Sequence, residues 1–219
     1  MAVYYRLDDN DRILMSTINS EGYNQRSRGS QICNGKKVVL QDNPFILEVD
    51  DAYNLFYGCT GIENLEYLDI SACTNLSNMF ARYNNVDNTT LDLSWLDVSN
   101  ATNFSGMFTS SSIKKLNLTS WNVSGVRNFD YMFYMCNQLQ NIYVDPGTDW
   151  KTATGGGVSS TYMFNGCQSL PNYNPQSYEL NIDYANSQDG YFTVEEHGWF
   201  EYTPYIKENG IWVPVEVYA

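Results

Sequence analysis

"NFSGMFTSSSIKKLNLTSWNVS" occupies residues 103–124, and "NFDYMFYMCNQLQNIYV" begins at Asn128. Both stretches place Asn-Phe, then Met-Phe, then a short alternating apolar run. With the second Phe as register mark, the pair recurs as Leu55-Phe56, Met79-Phe80, Met107-Phe108, Met132-Phe133 and Met163-Phe164, at spacings of 24, 28, 25 and 31 residues. The longer spacings coincide with two insertions, "YNNVDNTT" before Leu91 and "DPGTDWKTATGGGVSS" before Thr161. Past each Phe an apolar residue follows at six positions (Ile62, Val86, Leu139, Leu170) or, in the third copy, at five (Ile113). Alternating runs come next at Leu68-Asp69-Ile70, Leu91-Asp92-Leu93, Leu116-Asn117-Leu118 and Ile142-Tyr143-Val144, with Ile46 to Val49 as the same run for the first copy. Such alternation predicts short strands.

A unit of about 25 residues with one strand cannot bury its apolar face alone, so it must stack on its neighbours. The strands are then expected to pair in parallel along one side of a solenoid. The residues Leu76, Met79, Phe80; Phe104, Met107, Phe108; and Phe129, Met132, Phe133 fall at i, i+3, i+4. That spacing predicts one face of a short helical turn in each copy, closing the other side of a shared core.

"LDLSWLDVSNATNFSGMFTSSSIKKLNLTSWNVSGVRNFDYMFYMCNQL" (91–139) resembles the BspA-like leucine-rich repeats of bacterial surface proteins, whose units look like LxLSxFxTSNVTxMxxMFxGCxxL. Residues 45–174 follow this pattern, and "NLFYGC" and "YMFNGC" carry its Gly-Cys element. Arg82-Tyr83 and Ser110-Ser111 depart from it. The resemblance implies an α/β repeat solenoid, leucine-rich-repeat-like, with one short parallel strand and one helical turn per repeat. Residues 1–44 are expected to form a β-rich N-terminal cap or attachment segment. They contain Asn34-Gly35, a hairpin signal between β-prone runs. Residues 175–219 are expected to form a C-terminal β segment with a hairpin turning at Asn209-Gly210.

A net charge of −13 and a pI near 4.3 argue against a phosphate-backbone binder, so nucleic acid is not an expected partner. The start "MAVYYRLDDNDRILMS" lacks a basic and an apolar signal region, and no apolar run has the length of a membrane span. Cys59, Cys136 and Cys167 each sit three residues after a repeat Phe, which marks them as buried small hydrophobes, whereas Cys33 and Cys73 stand apart from the repeat. No nucleophile elbow, His-x-x-x-His, Cys-x-x-Cys or phosphate-binding loop occurs, and the single histidine, His197, lies in the C-terminal segment. The expectation is therefore a non-enzymatic protein without cofactor. Paired carboxylates occur at Asp8-Asp9-Asp11 and Asp50-Asp51; the first leaves a structural calcium open, although without the Asp-x-Asp-x-Asp-Gly spacing it reads first as a solvated turn. Six Asn-x-Ser/Thr triplets follow from composition alone.

In the predicted register Asp69, Asp92, Asn117 and Tyr143 point outward as one polar column, a surface available to a partner. Trp121 aligns with Leu96 as core, whereas Trp95 sits one residue earlier, at an outward position, and Trp150 lies in the long insertion. Trp95 and Trp150 are the candidate aromatic anchors, with packing of the insertion against the solenoid as the other reading of Trp150. "PYIKENGIWVPVEVY" is similar to C-terminal elements of phage tail and fibre proteins. Together with a surface-type repeat lacking an export signal, this similarity implies a virion surface protein: a phage fibre, head fibre or tail appendage for host or mucosal attachment. Its terminal segments would join other virion proteins, its solenoid would meet a host surface protein or glycan, and a homo-oligomer would be in keeping with fibres. The alternative is an extracellular adhesin domain of a bacterial cell-surface protein.

Overall fold

The computed structural model describes residues 2–27, 29–47, 52–87, 89–174 and 180–194, together with the backbone of two later strands. Its strands in chain order are β1 (Tyr4–Leu7), β2 (Ile13–Ser16), β3 (Asn24–Gln25), β4 (Val38–Leu40), β5 (Phe45–Ile46), β6 (Ile62–Glu63), β7 (Leu68–Asp69), β8 (Thr90–Asp92), β9 (Lys115–Asn117) and β10 (Asn141–Val144). A one-turn helix α1 (Trp150–Ala153), β11 (Thr193–Val194), β12 (Tyr205–Glu208) and β13 (Ile211–Pro214) complete the chain. Among the described residues no helix is long and apolar enough to cross a membrane. His197, Val49 and Asp50-Asp51 fall outside the described residues.

The architecture is a β-solenoid of about five turns with very little helix. The predicted parallel strands form: Leu91 is opposite Leu116 and Leu116 opposite Ile142, so β8, β9 and β10 stack in the register of the repeat, with β11 added parallel to β10. Ahead of them β5 pairs in parallel with β7. The strand side is thus divided into two sheets, and the division coincides with the first insertion, between β7 and β8. Val86, within that insertion, is 76% exposed, so it is not the core residue that its spacing predicts. Ile113, Leu139 and Leu170 at the equivalent places are buried, and Ile62 is half-buried.

The other side of each turn differs from expectation in an instructive way. The residues at i, i+3 and i+4 do face the core together: Leu76, Met79, Phe80 and their counterparts are buried completely or nearly so. They do so without a helix. Leu55, Tyr57 and Cys59 each donate their N–H three residues back, to Ala52, Asn54 and Phe56. The intervening N–H groups of Ala52, Asn54, Phe56 and Gly58 instead donate to Asn75, Ser77, Met79 and Ala81 on the next rung, at 2.9, 3.2, 2.9 and 2.8 Å. The same alternation joins residues 76–82 to 103–109, 104–110 to 128–134 and 129–135 to 159–165.

An α-helix would commit all of these donors to its own carbonyls and leave none for a neighbour. The alternation needs left-handed backbone at two places per rung, before the Met and two residues past the Phe. Those places are Asn54 and Gly58, Asn78 and Arg82, Gly106 and Ser110, Tyr131 and Met135, and Tyr162 and Gly166, all with positive φ. Gly106 is required there twice over, because at φ +63 an added Cβ would also lie 2.2 Å from Asn78 Oδ1.

Inside, the repeat Phe residues form a continuous column. Phe56, Phe80, Phe108, Phe133 and Phe164 have successive ring centroids 5.5, 5.7, 5.6 and 5.2 Å apart. A second aromatic run passes from Phe104 through Phe129 and Trp150 to Phe192, at 5.7, 5.5 and 4.8 Å. Trp150 is therefore a core residue, 2% exposed, and not a free anchor in a loop. Its helix starts at Asp149, which accepts from the Thr152 N–H. Trp121 is core as its alignment predicts, its Nε1 donating to the Leu93 carbonyl at 2.8 Å.

Before the first rung, β1 and β2 form an antiparallel hairpin, and β2, β4 and β6 continue in parallel. Asn34 and Gly35 make the expected turn, with φ of 43° and 77° and the Lys36 N–H on the Cys33 carbonyl. The turn does not close a hairpin, because β4 takes parallel partners on both edges. The strand pairing expected at the C-terminal end is present, with Glu208 opposite Ile211, while Asn209-Gly210, the expected turn, lies outside the described residues.

Met107→Asp, which puts a charge without a partner on a fully buried rung, should lower stability by more than about 3 kcal/mol. Val86→Asp should leave the melting temperature within a few degrees. Thermal unfolding followed by circular dichroism checks both, and equal effects would show that the register is wrong.

Candidate functional site

The polar column expected on the strand side is not a free surface. Asp92, Asn117 and Tyr143 are cross-strand partners in consecutive strands, as predicted, but Asp69 pairs with Ile46 in the other sheet. Their side chains are spent on local turns. Asp69 Oδ1 accepts from the N–H and hydroxyl of Ser71 at 3.0 and 2.6 Å, and Asp92 Oδ1 accepts from the Ser94 N–H at 2.9 Å. Asn117 Oδ1 accepts from the N–H and hydroxyl of Thr119 at 3.1 and 3.0 Å. Each such turn bends the chain off its strand, which explains the Asp/Asn-x-Ser/Thr spelling of the repeat. Asn117 and Tyr143 are only 4% and 6% exposed, and Trp95 is half-buried against the core.

Of the exposed large apolar side chains, Leu7, Ile18 and Val86 lie in the N-terminal segment and the first insertion, and Tyr131, Met135 and Tyr162 lie together on the turn side. The left-handed places carry Asn, Gly, Arg or Ser in the first three rungs, but in the last two only Gly166 keeps to that set and the other three are Tyr131, Met135 and Tyr162. A residue other than Gly or Asn held left-handed costs about 1–2 kcal/mol. These three side chains are also 41%, 47% and 44% exposed, so close to half of each stays in solvent. The Tyr131 ring lies 5.7 Å from Tyr162 and 5.5 Å from Tyr134. Together they form an outward aromatic platform fringed by Asp130, whose Oδ1 accepts from the Ser159 hydroxyl and the Thr161 N–H at 2.7 and 2.6 Å. Sequence reasoning overlooked this platform by treating Tyr131 and Tyr162 as parts of helical turns. The available signal was a bulky residue where other copies place Asn or Gly.

At the opposite end of the same face lies a groove of about 690 Å³. Tyr57, Gly58 and Arg82 from the first two rungs form one part of its wall, and Tyr5, the 31–35 segment, Thr60 and Asn84 form the rest. The Arg82 guanidinium sits 5.8 Å from the centre of the Tyr57 ring.

Among the described residues the cysteines are buried, and Asp8 and Asp11 are held by neighbouring cations. Cys33, which stands apart from the repeat in sequence, is disulfide-bonded to Cys59 one rung later. Cys73, Cys136 and Cys167 are buried free thiols. Cys136 Sγ donates to the Phe108 carbonyl and Cys167 Sγ to the Phe133 carbonyl, both at 2.9 Å. Burial, with the adjoining Cys136 thiol, pushes the Cys167 thiol well above its ordinary value, so it stays protonated. Asp8 is engaged by Arg12, whose Nε donates at 2.8 Å, and Asp11 by Lys36, so these acids do not stand as a calcium-binding set. No group of three or more His, Cys, Asp or Glu side chains fit to hold a metal occurs among the described residues.

A family model described as a Mycoplasma protein of unknown function, DUF285, matches residues 50–178, which is more than half of the chain, and the chain belongs to that family. Comparison with curated proteins and with solved structures returns no match.

Two predictions separate surface from core on this side of the molecule. Tyr162→Asn relieves the left-handed backbone but gives up the buried half of the ring, so the two terms offset and stability should change by less than about 1 kcal/mol. Phe164→Ala, two residues on, should cost about 3–5 kcal/mol, as read by denaturant titration. The three free thiols should stay unreactive toward a thiol reagent until the chain is unfolded, and fast labelling of native protein would contradict their burial.

Proposed function

We propose that this member of the family is a non-enzymatic attachment module that presents the turn side of its solenoid to a partner. The observation that carries this reading is the aromatic platform, where Tyr131, Met135 and Tyr162 hold left-handed backbone at a cost and yet remain exposed. Backbone strain kept at surface positions is a mark of contact sites. Exposed aromatics with a polar fringe are also the side chains that anchor interfaces. The parentage we infer is leucine-rich-repeat-like and close to the BspA-type units, with consecutive turns in place of the helical turn.

The partner in this reading is a surface protein or glycan of a host or mucosal layer. In the virion form of the proposal the chain is a phage fibre, head fibre or tail appendage, and the β12–β13 hairpin, a sheet of its own, serves as the element that joins other virion proteins. A second form, an extracellular adhesin domain on a bacterial cell, is favoured by the match to a family described from Mycoplasma.

Mass spectrometry with immunogold labelling of purified particles and of bacterial cells distinguishes the two carriers. Labelled particles support the virion form, and labelled cells with unlabelled particles support the adhesin form. Binding of the purified chain to host cells or mucus tests the common claim. The double variant Tyr131→Asn, Tyr162→Asn should lose at least tenfold in binding while keeping its melting temperature. Undiminished binding by a folded double variant would remove the platform from the proposal.

A further inference from the structure

We infer that the groove between Tyr57, Arg82 and the 31–35 segment binds a sugar bearing a carboxylate; this deepens the attachment reading and rests on it. The volume, about 690 Å³, lies within the roughly 300–1,000 Å³ usual for small-ligand sites. Its lining is polar in the manner a polyol requires. Gln31, Asn34 and Asn84 offer exposed side-chain amides, and Thr60 offers a hydroxyl. Each amide both donates and accepts, which matches sugar hydroxyls better than it matches an apolar ligand. Tyr5 and Tyr57 add ring surface for the C–H face of a pyranose. At Gly35 and Gly58 no side chain intervenes, so a ligand can approach the main chain closely.

Arg82 defines the charge of the ligand. Arg12, Lys36, Lys37 and Lys151 each meet a carboxylate, whereas Arg6 lies over the Tyr23 ring and Arg127 donates to backbone carbonyls, so Arg82 is set apart by its place in the groove. Among the described residues the Arg82 guanidinium meets the Tyr57 ring and no carboxylate, although the chain carries a net charge of −13. Its backbone is left-handed, φ 56°, at the place where neighbouring rungs have Gly58 and Ser110, so Arg is held here at a conformational cost. A guanidinium presents a planar fork that takes a carboxylate through two parallel hydrogen bonds. Resting on Tyr57, it is oriented without being neutralised. One cation balances one anionic group, whereas a densely sulfated or phosphorylated chain would meet the repulsion of the whole acidic protein. A sialic or uronic acid residue, singly charged and rich in hydroxyls, fits these conditions.

The test uses the full chain and three free sugars, N-acetylneuraminic acid, glucuronic acid and glucose, observed by saturation-transfer NMR and titration. At least one of the two acids should bind, more weakly as sodium chloride is raised. Arg82→Asn, which tolerates the left-handed backbone, should weaken that acid at least tenfold and leave glucose unchanged. Tyr57→Leu should weaken acid and glucose alike, and Tyr162→Asn, at the far end of the face, should affect neither. The inference is overturned if neither acid binds or if folded Arg82→Asn binds as tightly as the original chain. Should that happen while host-cell binding still depends on Tyr131 and Tyr162, the groove assignment falls and the attachment reading stands. Should the original chain bind neither sugars nor host surfaces, both fall together.

Discussion

On the turn side of this solenoid, every second N–H must find its acceptor on the next rung. That requirement shapes most of what the molecule does. It excludes a helix, whose donors would be satisfied internally. It imposes a four-residue alternation, Asn54 to Gly58 and Asn78 to Arg82, with left-handed backbone at each end. It also sets the rung separation at which Phe56, Phe80, Phe108, Phe133 and Phe164 come into ring contact, 5.2–5.7 Å between centroids. The strand side is less continuous, since β7 and β8 belong to different sheets. Across that division the bonds from Leu76, Asn78, Phe80 and Arg82 to the following rung remain at 2.8–2.9 Å. The turn side thus carries the stack where the strands do not.

The same alternation separates the two surfaces. On the strand side, Asp69, Asp92 and Asn117 turn back onto the residues two positions ahead, and the column closes into a buried or half-buried seam. On the turn side, left-handed residues direct their side chains out of the ribbon. A rung can therefore change its outward residue without altering its core, which is what the substitution of Tyr131 and Tyr162 for Asn and Gly accomplishes. Arg82 exploits the same freedom in the groove. Evolution of a binding surface on such a scaffold needs few changes, each bearing the local cost of a non-glycine residue in left-handed backbone.

The insertions show how a repeat with fixed bonding absorbs extra chain. The first, around Val86, is extruded to solvent and marks the gap between the strand-side sheets. The second returns to the core, because Asp149 starts a short helix whose Trp150 fills the aromatic run between Phe129 and Phe192. Both insertions read as loops in sequence. Only the size of the side chain each offered, and a space at the end of the Phe104–Phe129 run, distinguished them.

The amino-acid sequence by itself determined the repeat and, apart from Val86 and Asp69, its register and core. The recurring Met-Phe pair and the alternating runs are dictated by burial, and burial leaves a periodic trace in residue type. It also determined the parallel pairing of β8, β9 and β10, the core position of Trp121 and the C-terminal hairpin. Tertiary structure alone decided that the i, i+3, i+4 spacing belongs to consecutive turns. A helix and this ribbon bury the same positions, and they differ in the sign of φ at two places per rung and in where the N–H groups point. It decided likewise that Asn117, Tyr143 and Trp150 are buried, that Cys33 joins Cys59, and that Tyr131, Tyr162 and Arg82 face outward. These outcomes depend on which rung lies above which and on the sign of φ at single residues, and neither quantity is written in hydrophobic periodicity.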